Sequence, residues 1–172
     1  MTAATPATTP TMTPAMTLDQ AAIRRILPHQ GAMCVLDAVT ACDAQQIVCR
    51  ATGHRDPLHP MRGPRGLGSA CGIEFAAQAM ALHAAMTMAG SGGGPLPAGR
   101  LASVRDVVFA VDRLDDIDDD LQIRAALLSG DPRSAIYAFE IGAAGRRLIS
   151  GRASVLIRPA GGPEDGRASG TA

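Results

Sequence analysis

Tryptophan is absent from this chain, and its 172 residues include only one Tyr and three Phe. Without aromatic platforms on which successive bases stack, a single-stranded nucleic-acid binder is excluded. The four cysteines, Cys34, Cys42, Cys49 and Cys71, contain no CxxC pair, so a knuckle-type metal site is not expected. They read as small reduced core residues rather than a disulfide framework. Charge of one sign is also missing: 16 basic side chains balance 16 acidic ones, which leaves no overall field for a polyanionic partner. No uncharged apolar run reaches membrane-spanning length, because Glu74 and His83 interrupt the longest one. The N-terminus lacks a basic stretch followed by an apolar one, so no secretory signal is expected and the reading is cytoplasmic.

What is present falls into three parts. Residues 1–17 are nearly all Thr, Ala and Pro, and 160–172 are mainly Gly, Ala and small polar residues. Both compositions predict disordered tails, because neither buries enough apolar surface to offset the entropy of ordering. Residues 18–159 form one domain, large enough for a proper core. Within it, Leu18 to Ile26 reads as a short helix, with Asp19 near its start and Pro28 past its end. Met33 to Thr40 and Gln46 to His54 are apolar runs flanking the polar CDAQ, a pattern for an antiparallel strand pair. Arg55 to Gly68, rich in Pro, Gly and Arg, reads as a long loop. Ser69 is placed to cap a helix that runs to about Ala89, before SGGGPLP. Strands follow at Leu101 to Val111, Leu121 to Leu128, Ala135 to Ala143 and Arg147 to Arg158, joined by short turns. The order is α+β, with one curved antiparallel sheet around one Ala-rich helix whose small side chains permit close packing.

The helix GIEFAAQAMALHAAM, Gly72 to Met86, is apolar except for Glu74, Gln78 one turn further on the same face, and His83 on the opposite face. An isolated charge among Ala, Met and Phe is costly to bury, so Glu74 either pairs with a cation such as Arg105 or serves chemistry. Gln78 is placed to orient Glu74 or a loop, and His83 reads as structural.

Two motifs carry a family resemblance. LPHQGAMCVLDAV, Leu27 to Val39, resembles the Leu-Pro-His opening and apolar strand ending in Leu-Asp of the hotdog-fold 3-hydroxyacyl-acyl-carrier-protein dehydratases of fatty-acid and aryl-polyene-type synthesis. GIEFAAQ, Gly72 to Gln78, is similar to their central-helix pattern. The resemblance spans about Ile23 to Arg158. It implies a hotdog fold and dehydration of acyl-carrier-linked 3-hydroxyacyl thioesters to trans-2-enoyl thioesters, with no metal and no cofactor. It implies also a homodimer joined edge to edge, open to further assembly, in which the His of one subunit faces the Glu of the other.

Dehydration needs a base for the proton beside the thioester carbonyl and an acid for the departing hydroxyl. A histidine suits the first role, and a carboxyl group in an apolar tunnel suits the second, which falls to Glu74. The family's His lies in a His-Phe-Pro loop before the helix. Here His59 is the nearest counterpart, with Pro64 and Gly68 in matching places, although Pro60 and Met61 replace the Phe-Pro. His54 and His29 stand as alternative bases. The helix N-terminus from Ser69 through Cys71 to Gly72 is placed to polarise the carbonyl, with Gly72 allowing close approach of the substrate. Arg62 and Arg65 are placed for a phosphopantetheine phosphate or an acidic carrier, and Met33, Met61, Met80, Met86 and Met88 for an acyl channel or for ordinary core filling. The acidic run Asp115 to Asp120 lacks the spacing of a calcium loop and reads as a solvated turn. Two other functions fit the same fold: a non-catalytic subunit that binds an acyl chain or a partner dehydratase, and a thioesterase.

Overall fold

The computed structural model describes residues 17–29, 31–89, 98–131 and 133–158. Both expected tails lie outside these residues, Thr17 excepted, as do positions 90–97 between helix and sheet and the side chain of Met88.

Among the described residues, seven strands form a single antiparallel sheet: β1 (Leu18–Asp19), β2 (Ala38–Cys42), β3 (Gln46–Ala51), β4 (Ala98–Phe109), β5 (Leu121–Asp131), β6 (Ser134–Ala143) and β7 (Arg146–Arg158). Their order across the sheet is β1-β2-β3-β5-β6-β7-β4. The short helix α1 (Gln20–Ile26) follows β1, and the long helix α2 (Gly72–Ala89) lies between β3 and β4 in the chain. Alternation along β6 shows how the sheet finds its inner face. Ala135, Tyr137, Phe139, Ile141 and Ala143 are buried, whereas Ile136 and Glu140 face outward.

Helix α2 packs on the inner face, and its Phe75, Ala76, Ala79, Met80, Leu82 and Met86 belong to the core with Ile47, Ile123 and Ile141. A helix apolar nearly all round is one that is enclosed rather than laid on a surface. Full burial of a side chain such as Phe75 stabilises by about 2 kcal/mol. Packing is tightest at Gly72, where an added Cβ would meet Ile149 Cδ1 at 2.4 Å and Ile141 Cδ1 at 3.0 Å.

Several elements depart from the expected bounds, each for a hydrogen-bonding reason. The first strand of the pair begins at Ala38 rather than Met33, because Gly31–Met33 coils into a 3-10 turn, with Gly31 at φ 60°. The second ends at Ala51. There the Thr52 amide and hydroxyl donate to the Asp37 carboxylate at 2.6 and 2.7 Å, and Gly53–Arg55 forms a second 3-10 turn. Ser69 does not cap α2. It opens a 3-10 turn, Ser69–Cys71, that runs into the helix, and its amide donates to the Asp112 carbonyl at 2.9 Å. Asp19 does cap α1, accepting from the Ala22 amide at 2.8 Å.

The two sheet edges differ in length. Strand β1 has two residues and β4 has twelve. On β4 the register slips between Arg105 and Val108, with Asp106 at φ 53°, a bulge of the kind that bends an edge strand. Leu101, Val108 and Phe109 on β4 are exposed.

Candidate active site

Glu74 occupies the first turn of α2, and Gln78, fully buried, lies one turn below it. The Gln78 amide uses both of its ends. Its Oε1 accepts from the Val35 amide at 3.1 Å, and its Nε2 donates to the Met33 carbonyl at 2.7 Å and to Glu74 Oε1 at 2.9 Å. Only one amide orientation satisfies a backbone donor and a backbone acceptor together, so this contact set fixes the rotamer. One side chain therefore fastens the segment after the Leu-Pro-His motif to the Glu74 carboxyl. The consequence is that His29 Nε2 sits 3.2 Å from the same Glu74 Oε1. Both side chains are about one-third exposed, at 35% and 30%, so the pair meets solvent at the helix mouth. His29 Nδ1 is buried without a partner. Arg105 is exposed on β4 and is no ion-pair partner of Glu74 among the described residues; the expected alternative for Glu74 gives way to two neutral-capable partners.

Within the single chain, the histidine in contact with Glu74 is His29. His59 is buried, stacks on Phe75 with ring centroids 5.9 Å apart, and accepts from the Met61 amide through Nδ1 at 3.2 Å. Its Nε2 is buried without a partner. Phe75 is one residue and about 100° around the helix from Glu74, which puts His59 on another side of α2. His54 is fully buried, with Nε2 at 3.0 Å from the Ile117 carbonyl and Nδ1 unpartnered. A carbonyl only accepts, so Nε2 of His54 carries the proton. Desolvation holds both rings below the usual histidine pKa, as it does His83. His83 is structural as expected: Nε2 donates to the Asp43 carbonyl at 2.9 Å and Nδ1 accepts from the Tyr137 hydroxyl at 3.0 Å.

The helix N-terminus is less open than its sequence implied. The amide of Ser69 is spent on Asp112, that of Cys71 on the Gly68 carbonyl at 3.0 Å, and that of Gly72 on the carbonyls of Ser69 and Ala70. These three amides already have acceptors and do not form an oxyanion site as they stand. At Gly72 the space beside Cα is filled by the sheet side chains Ile149 and Ile141. Cys71 directs its thiol at the Met61 carbonyl, 3.7 Å away, and burial pushes that thiol's pKa up.

Arg62 and Arg65, which the sequence pairs as anion contacts, part company. Arg62 Nη2 lies 2.8 Å from Asp115 Oδ2. Arg113 closes on the same carboxylate at 2.6 and 3.1 Å, and the Leu67 amide donates to it at 3.0 Å. The Asp115 side chain is 1% exposed, so this member of the acidic run is a buried clamp and not a solvated turn residue. Its guanidinium partner Arg113 is the first cause holding its pKa at about 2. The signal for it in the sequence was weak: one Asp directly after Leu114, which is fully buried. Arg65 stays exposed and lines a cleft of about 500 Å³ with Met61, Pro64, Gly68 and Arg113. Of the methionines, Met80 and Met86 are core, and Met33 and Met61 are half-buried near the helix mouth.

No curated protein matches the chain. Among solved structures, it is similar to the dehydratase heterocomplex ApeI:P from Xenorhabdus doucetiae, at 26% identity and a TM-score of 0.71, over 78% of this chain and 90% of that one. A mutant thioesterase from Pseudomonas aeruginosa (10% identity, TM-score 0.58, 82% and 94% covered) and AziG of S. sahachiroi (15%, 0.52, 70% and 89%) share the fold. The family described as ApeP-like, ApeP dehydratase, matches residues 21–162. This chain, a seven-stranded hotdog with a Glu-Gln pair on its central helix, belongs to the ApeP-like dehydratases.

Proposed function

We propose that this chain dehydrates 3-hydroxyacyl thioesters, delivered on an acyl carrier or its pantetheine arm, to trans-2-enoyl thioesters. The observation that carries this reading is the His29–Glu74 contact of 3.2 Å, held in place by Gln78. An imidazole and a carboxyl in contact present a base and an acid together. With the proton on Glu74, neutral His29 takes the proton from C2 while the Glu74 carboxyl gives its proton to the departing C3 hydroxyl. The C2–C3 double bond forms, water leaves, and proton transfer from imidazolium to carboxylate restores the pair. Arg65, exposed at the cleft beside the helix mouth, is the side chain for the phosphate of the arm.

The long β4 edge, with Leu101, Val108 and Phe109 exposed, is where a second hotdog chain would extend the sheet. The partner is a second copy or, as in the heterocomplex of the similar structure, a different dehydratase chain. This edge favours a second reading, in which the chain acts only with such a partner.

The test is mass-spectrometric. Wild type and Glu74→Ala are incubated with a short panel of 3-hydroxyacyl-pantetheine and carrier-linked thioesters. Water loss by wild type and not by the variant is the expected result. Turnover that needs an added partner dehydratase supports the second reading, and release of free acid would make the chain a thioesterase.

A further inference from the structure

The segment that carries His29 leaves the sheet and returns to it. At its base lies the ladder between β1 and β2, where Leu18 pairs with Val39 and Asp19 with Ala38. So short a ladder is a weak closure on its own. From there residues 20–37 run out through α1, past Pro28 and His29, and come back through the 3-10 turn Gly31–Met33 to Asp37.

One side chain closes that base. Asp37 Oδ1 accepts from Gln20 Nε2 at 3.0 Å, which ties the first residue of α1 to the last residue before β2. The Gln20 amide is oriented from its other end, where Oε1 accepts from Arg24 Nη2 at 3.2 Å. Asp37 Oδ2 takes the Thr52 amide and hydroxyl at 2.6 and 2.7 Å, and the Asp37 amide donates to the Arg50 carbonyl at 2.9 Å. This half-buried carboxylate therefore joins α1, the start of β2 and the end of β3 through uncharged donors.

Together with Gln78, Asp37 gives the His29 segment two fixed points. Gln78 grips the returning limb at Met33 and Val35, on the helix side. Asp37 grips the outgoing limb through Gln20. The buried side chains of Ile23 and Leu27 seat α1 against the core, but apolar burial is non-directional and tolerates sliding. The bond to Gln20 supplies the direction. A slide of about 1 Å in the outgoing limb would carry the 3.2 Å contact between His29 and Glu74 out of hydrogen-bond reach.

We infer that Asp37 is a positioning residue for the His29–Glu74 pair: by tying α1 to the end of β3, it fixes where the outgoing limb delivers His29. Its effect on turnover rests on the dehydratase reading, whereas the placement of His29 does not.

The experiment uses Asp37→Ala, Asp37→Asn and Gln20→Ala in the full chain, each alone and combined with His29→Ala. In Asp37→Asn the side-chain oxygen still accepts from Thr52, and the new NH2 meets Gln20 once that amide turns over, at the expense of the exposed bond to Arg24. This variant is expected to recover most of what Asp37→Ala loses. On a pantetheine-linked substrate, Asp37→Ala should lower kcat about tenfold and Gln20→Ala about threefold, with KM within about twofold of wild type. Neither substitution lowers the residual kcat further in the His29→Ala background, because the group being positioned is gone. A full further drop there, or no recovery in Asp37→Asn, would mark Asp37 as a support of the fold at large and overturn the inference.

Gln20→Ala keeps the test open if Asp37→Ala does not fold. Should wild type turn over no thioester, proton–nitrogen correlation spectra of the imidazole rings decide. The His29 ring signals, assigned by their loss in His29→Ala, are expected to move in Glu74→Gln and to lose that response when Gln20→Ala is added. An unchanged response means that His29 reaches Glu74 without the Asp37 tie, which sinks the positioning role. A lost response without turnover upholds that role and rejects the dehydratase reading alone.

Discussion

Two carboxylates lie beside the same helix mouth and are treated in opposite ways. Asp115, at the turn before β5, is buried and gripped by two arginines and a backbone amide. Glu74 is one-third exposed and, among the described residues, bonds to Gln78 and His29, neither of which carries an obligatory charge. A carboxylate in a full set of guanidinium bonds is lost to acid-base chemistry at neutral pH; its work is to hold the 59–68 loop against the turn that carries Arg113. The Glu74 carboxyl is bonded instead to an amide and an imidazole, with no guanidinium among its described partners. The contrast separates, by their partners, a mechanical acid from the one to which our proposal assigns the chemistry.

The largest expected effect breaks that contrast from the chemical side. Glu74→Gln keeps a hydrogen-bonding side chain of the same shape yet removes the exchangeable proton. It is expected to lower kcat by about 10² to 10⁴ while the unfolding midpoint in urea moves little. The mirror experiment is Asp115→Asn. Removing one charge leaves Arg62 and Arg113 without their shared acceptor and is expected to cost about 2 kcal/mol of stability, read as a lower urea midpoint, with kcat on pantetheine-linked substrate within a few-fold of wild type. If the two variants exchanged phenotypes, the assignment of roles would be wrong.

Between them stands Gln78, which is both mechanical and chemical. Replacement by Met keeps the volume but strands the Val35 amide and the Met33 carbonyl. The expectation is a loss of about 1 to 2 kcal/mol together with roughly tenfold lower kcat, because the loop that carries His29 loses its anchor. Stability lost with full activity retained would show that His29 is positioned by something else.

How much of this was legible in the sequence follows the same division. The sheet, the enclosed helix and the Glu74–Gln78 pair were readable, since alternation, an Ala-rich apolar run and i,i+4 spacing are local patterns. The partner of Glu74 was not. His59 is nearer in the family's motif, but His29 reaches Glu74 because Gln78 recruits the backbone at Met33 and Val35, a contact between residues 43 and 45 positions apart. Nothing local in GAMCV announces that the predicted strand yields there to a 3-10 turn and a tethered segment. Gly72 shows a second limit: the sequence says that something comes close, and only the packing identifies it as Ile149 and Ile141.

The smallest effect sharpens the comparison by acid titration. His54, His59 and His83 are buried with pKa values below the usual 6.5, chiefly through desolvation. For a group whose folded pKa is depressed, the unfolded chain takes up the proton first. Stability is therefore full above about pH 6.5 and falls as pH drops below it, each ring contributing a slope of at most about 1.4 kcal/mol per pH unit. Asp115 behaves differently, since its pKa falls from 3.8 to about 2. Its contribution is intact above pH 3.8 and is lost only as pH falls from there towards 2. Urea unfolding from pH 7.5 to 5 should show the histidine slope alone, reduced in His83→Gln, which retains hydrogen-bonding groups but does not titrate. An unchanged slope in that variant would mean that His83 remains protonatable in the folded core, and Tyr137 with Asp43 would then have to be satisfied by another arrangement.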